Sequence, residues 1–204
     1  MRFKSVTNGV FAVLLLSAPA AVAQDEVRSE FSAQGTGFFT KDTRDNGNTA
    51  QSTNTGGFVV GYRFHFNHWL AADASYGYDR ITQLSTNFAG PTGVQANVHE
   101  ATGALVLTLP FSVARFKPYA LAGAGALVFD PTGNAGGFVA GAQSQGRPTF
   151  VYGAGADYNI SSHIALRAQY RGFVYNRPDF SLAGLDSHML AHTAEPSAGI
   201  VFRF

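Results

Sequence analysis

Five residues near the end of the chain have the types that nucleophilic catalysis uses: Ser187, His188, His192, Glu195 and Ser197. A serine hydroxyl attacks when a histidine takes its proton and a carboxylate orients that histidine. The spacing works against such an arrangement. In an extended segment alternate residues share a face, so Glu195 and Ser197 point one way and His192 the other. No catalytic residue is expected. The histidines at 65, 68, 99 and 163 are scattered without paired ligand spacing, so neither a metal site nor a cofactor is expected. The Gly-x-Gly runs at Gly123/Gly125 and Gly153/Gly155 precede no helix and so are not phosphate-binding loops. In a strand such glycines admit bending or a close neighbouring side chain.

The elements that carry these residues follow a period of two, the signature of β-strands with two unlike faces. The spacing predicts strands over Val27–Thr40, Gly56–Phe66, Trp69–Arg80, Asn97–Leu109, Lys117–Phe129, Pro148–Tyr158, Ile164–Tyr175 and His192–Phe204. Between them, long polar or Gly-rich stretches (Lys41–Thr55, Ile81–Ala96, Asp130–Arg147, Asn176–Ala191) alternate with short ones (Asn67-His68, Pro110–Phe116, Asn159–His163). Eight strands joined by alternating long and short connections form the pattern of an all-β, antiparallel, up-and-down transmembrane β-barrel with long outer loops and short periplasmic turns.

The distribution of charge and aromatics agrees with that architecture. Arg28, Arg63, Arg167, Arg171 and Arg203 fall on the face opposite the apolar one, as do Glu30, Asp73, Glu100, Asp157 and Glu195. An eight-stranded barrel is just wide enough for side chains to fill it. Balanced charges inside it predict a closed lumen, with an ion-pair network among Arg63, Asp73, Glu100, Asp157, Arg167, Arg171, Glu195 and Arg203. Aromatics cluster at strand ends: Phe66, Trp69, Phe116, Tyr119, Tyr158, Phe202 and Phe204 at the turn end, and Phe39, Phe58, Tyr78, Phe129, Phe150 and Tyr175 at the loop end. They are expected to form two interfacial girdles.

The amino-terminal segment reads as an export signal. Arg2 and Lys4 precede a short apolar run, and small residues follow, with Ala21 and Ala23 at the cleavage positions. The run is too short for a membrane-spanning helix, which needs about 20 residues. Residues 1–23 are therefore expected to be a signal peptide and 24–204 the barrel domain. Removing Arg2 and Lys4 takes the formal net charge from +1 to slightly negative, which leaves no basic footprint for nucleic acid. Only 13% of residues are charged, which suits a wall facing lipid, and the absence of cysteine excludes disulfides.

The segment Tyr152–Phe180, with Lys117–Phe129 and the ending His192–Phe204, resembles small outer-membrane β-barrel proteins of the OmpA-like superfamily. The resemblance covers essentially the whole expected mature chain and includes no peptidoglycan-binding domain, so the anchoring role of the longer proteins is not implied. It does imply an outer-membrane location, contact with outer-membrane lipid, and recognition of the last strand by the barrel-assembly machinery. Ile200, Phe202 and Phe204 would form that assembly signal. Some barrels of this size modify lipid A, and others are narrow channels. The expectation is a non-catalytic barrel presenting four loops, one of which, with Phe138 and Val139, could meet a surface ligand. Phe204→Ala should lower the amount of inserted, heat-modifiable barrel in outer-membrane fractions while leaving export intact. Equal insertion of variant and parent would reduce Phe204 to a girdle residue.

Overall fold

Strands can cross hydrocarbon only if every backbone donor and acceptor finds a partner within the sheet, which requires the sheet to close on itself. The computed structural model describes residues 28–40, 43–45, 48–52, 55–87, 90–110, 115–132, 144–176 and 190–204. The expected signal segment with Ala21 and Ala23, the residues Ser187 and His188, and Phe138 and Val139 lie outside them. The regular structure described is entirely β: β1 (Ser29–Thr40), β2 (Thr43–Asp45), β3 (Asn48–Ser52), β4 (Thr55–His65), β5 (Leu70–Asn87), β6 (Gly90–Thr108), β7 (Phe116–Pro131), β8 (Gln145–Asn159), β9 (Ile164–Asn176) and β10 (Leu190–Arg203).

Eight of these, all but β2 and β3, form a closed antiparallel ring in chain order, sealed by β10 against β1. At the seam Glu30 faces Arg203 and Phe31 faces Phe202, and Phe204 exchanges backbone hydrogen bonds with Ser29 at 3.0 and 3.1 Å. Two of the short turns are fixed by their own side chains. Asn67 Oδ1 accepts from the Trp69 and Leu70 amides, and Ser161 Oγ accepts from Ile164 N, which is how Asn and Ser hold tight turns.

Alternation sorts the side chains. On β1, Glu30, Ser32 and Gln34 are buried while Phe31 and Ala33 face outward. Phe58, Tyr62 and Phe64 on β4, Leu105 and Leu107 on β6, and Ile200 and Phe202 on β10 continue the outer apolar wall.

Two expectations are corrected. First, Lys41–Thr55 and Ile81–Ala96 are not plain loops. β5 runs on to Asn87 and β6 begins at Gly90, in register from Ile81↔Ala96 to Asn87↔Gly90, and β3 pairs with the upper part of β5. Gly90, Pro91 and Gly93 commonly interrupt strands, but beyond Gln95 the only neighbour of β6 among the described residues is β5, and an edge position of this kind tolerates proline. About 9–11 residues suffice to cross the membrane, so strands of 18 and 19 residues carry this hairpin well past the wall.

Second, Tyr119, Phe129 and Tyr175 are not girdle residues. All three are buried in the lumen, with Leu121 and Leu127, while the alanines of β7 face outward. Both faces of β7 are apolar, so hydrophobicity alone could not orient it. What decides is volume, because the ring must be filled and the alanine row is too small to fill it.

Leu121→Ala should therefore lower the unfolding free energy by about 2–5 kcal/mol, while the adjacent Ala122→Leu, on the lipid face, should change it by less than about 0.5 kcal/mol. Urea unfolding in micelles measures both, and the reverse order of costs would mean that β7 is turned around.

Candidate functional site

The inward faces of the strands place the charged residues in two layers along the lumen. The lower layer lies toward the turns. Arg167 Nη2 donates to Glu30 Oε2 at 2.7 Å, and Arg167 Nε and Nη2 donate to the two oxygens of Asp157 at 2.7 and 2.8 Å. Arg203 bonds the same two carboxylates, Glu30 at 2.8 Å and Asp157 at 3.1 Å, and also donates to Asn159. Two guanidiniums and two carboxylates thus form a closed square drawn from β1, β8, β9 and β10. Beside it Arg63 Nε donates to Asp73 Oδ2 at 3.0 Å, and its guanidinium lies 4.4 Å from the centre of the Tyr119 ring.

The upper layer centres on Arg171. It contacts Glu195, its register partner on β10, at 2.5 Å, and Glu100 on β6, across the lumen, at 2.6 Å. Its Nη1 also donates to Ser75 on β5 at 3.2 Å. Glu100 and Glu195 are fully buried. Asp79, buried higher on β5, accepts from Thr36 at 3.1 Å.

Neutral groups separate the layers. The Tyr119 hydroxyl reaches from β7 to Gln169 Oε1 on β9 at 2.7 Å and so bars the lumen. Gly155 makes this possible, since a Cβ there would lie 2.5 Å from the Tyr119 hydroxyl oxygen. Above Arg171, Phe173, Phe129, Tyr175, Leu127, Ile81 and Phe38 close the loop end with apolar bulk.

All eight residues of the expected network line the lumen, and each takes part in an ion pair. Glu30, which joins Arg167 to Arg203, belongs with them. The alternation had put it on the inward face, but its role as hub depends on strand stagger. Tyr119 was missed outright, because its neighbours gave no reason to turn it inward. Arg28 sits exposed at the turn end, without an ion-pair partner among the described residues. Ile200, Phe202 and Phe204 face outward at the closing strand. His192 is outward too, bonded to the Tyr152 hydroxyl, whereas Glu195 is inside, so the barrel wall separates the two.

A closed ring with an apolar outside and a polar, filled inside defines an outer-membrane β-barrel. The chain belongs to the outer membrane protein beta-barrel domain family, whose model matches residues 9–204. The fold is similar to that of OprG from Pseudomonas aeruginosa, with a TM-score of 0.63 at 12% identity over 86% of this chain and 95% of that one. It is likewise similar to Neisserial surface protein A, with a TM-score of 0.61 at 13% identity over 86% and 97%. Ail of Yersinia pestis superposes with a TM-score of 0.51 at 19% identity over 87% and 99%. Identities this low speak to the fold alone. No curated protein matches the chain.

Arg171 serves two buried carboxylates, so Arg171→Ala should destabilise the barrel by about 3–5 kcal/mol, more than Glu195→Ala. The double variant should lose less than the sum by about 1 kcal/mol or more, as contacting partners do. Glu195→Ala with Arg203→Ala, far apart on one strand and sharing no partner, should add within about 0.5 kcal/mol. Additivity of the first pair in chemical unfolding would mean that the contact carries no coupling.

Proposed function

We propose that this chain is a non-catalytic integral outer-membrane barrel whose lumen is a plug, and which acts through the surface it presents beyond the outer rim. One observation carries this: from turn end to loop end the lumen is occupied in succession by the Arg167–Arg203 square, the Tyr119–Gln169 bar, the Arg171 cluster and the aromatic cap. Opening a path would require breaking buried ion pairs, at several kcal/mol each. A structural or surface-interaction role is therefore favoured over a diffusion channel. The outward extension of β5 and β6, with β3 added to its edge, gives a partner a stiff surface to meet.

The apolar wall contacts outer-membrane lipid, and the barrel-assembly machinery reads Ile200, Phe202 and Phe204 on the closing strand. A lipid-modifying enzyme is disfavoured, because His192 and Glu195 stand on opposite sides of the wall. Purified protein in planar bilayers should show no steady conductance, and a strain lacking it should keep its lipid A composition unchanged. A stable nanosiemens-scale channel in the parent protein would overturn the plug, and altered lipid A would restore the enzyme.

A further inference from the structure

Below the Tyr119–Gln169 bar the lumen opens at its turn end into a vestibule of about 520 Å³. That volume lies within the range of small-molecule sites. Strands enclose it, so it faces the aqueous space at the turns rather than lipid. The alternating connection lengths assign that space to the periplasm.

Its charge is unbalanced. Arg28, Arg63, Lys117 and Arg203 line it, against Glu30 and Asp157. Those two carboxylates are already committed, each to both Arg167 and Arg203. Asp73 takes Arg63 Nε. Among the described residues neither Arg28 nor Lys117 has an ion-pair partner. Independently of this excess, Arg63 is only 2% exposed and its Nη2 is buried with no acceptor among the described residues. A buried donor left without an acceptor is costly. Here it belongs to a side chain lining a cavity large enough to admit one.

Fixed guanidiniums inside a low-dielectric wall concentrate positive potential, and Arg with Lys is the pairing that suits phosphate oxygens. We propose that the turn-end vestibule is a binding site for a soluble phosphate-bearing anion from the periplasm, held by Arg63 at its floor and by Arg28 and Lys117 at its mouth. The bar above makes the vestibule blind, so the site binds without conducting. It goes beyond the plug described above and does not require any activity at the outer surface.

The test uses purified barrel in nanodiscs of zwitterionic phosphatidylcholine, titrated with inorganic phosphate at constant ionic strength and followed by calorimetry. Binding should saturate, and Lys117→Ala and Arg28→Ala should each weaken it about tenfold, the size of one charge-assisted contact. Both positions are exposed, and unchanged heat-modifiable mobility verifies that the variants fold. Arg80→Ala removes the same charge at the opposite end and should leave affinity unchanged. An Arg80→Ala loss as large as that of Lys117→Ala would reduce the effect to net charge, and absence of saturable binding would overturn the site. A vestibule silent to inorganic phosphate, whose NMR signals move only in phosphatidylglycerol nanodiscs, would assign it to a lipid headgroup and overturn the soluble ligand.

Discussion

A ring of eight strands encloses a space only as wide as the side chains that fill it, so a charge placed there must find its counter-charge there. That constraint is sharpest in the square of Glu30, Asp157, Arg167 and Arg203. Its members come from β1 and the last three strands, so it straddles the seam where the ring closes. Glu30 and Arg203 are also backbone register partners across that seam. A slip of one residue by either strand would turn its charge toward lipid and leave the other unpaired. The square therefore fixes the register at the joint that brings together the most distant parts of the sequence.

Around this joint the interior is divided by position. The turn end is rich in cations, the middle holds one guanidinium between two carboxylates, and the loop end is apolar. Tyr119 links the first two regions, stacking on Arg63 and hydrogen bonding to Gln169. It can do so because Gly155 leaves room for its hydroxyl. β7 supplies more large side chains to the buried apolar core than any other strand, through Tyr119, Leu121, Leu127 and Phe129, and between Phe116 and Val128 its outer face is mostly alanine.

The wall and the filled interior are what an outer-membrane barrel needs in order to exist, and they do not by themselves specify a role. Barrels of one fold serve many ends. Among the described residues the largest departure from a minimal barrel is the β5–β6 ladder, which continues past the end of β7 and takes β3 onto its side.

Much of the barrel was legible in the order of residues. A period of two, with charge on one face, placed Glu30, Arg63, Asp73, Asp157, Arg167, Arg171 and Glu195 inside, because a charge facing lipid is costly enough to settle the orientation of a strand. The orientation of β7 was not legible, since its only charges, Lys117 and Asp130, sit at its two ends and on opposite faces. Nor was the extension of β5 and β6, because a strand with one free edge tolerates the Gly and Pro that mark a loop elsewhere. The specific pairings depended on tertiary structure for a different reason. Sequence alternation gives the face of a residue but not its height. Only the stagger of closed strands sets Glu100 opposite Arg171 and Glu30 between Arg167 and Arg203. The sequence by itself determined which side chains enter the lumen wherever charge marked the face. Closure of the ring decided which of them meet, because distance across a barrel is fixed by shear and strand number rather than by separation along the chain.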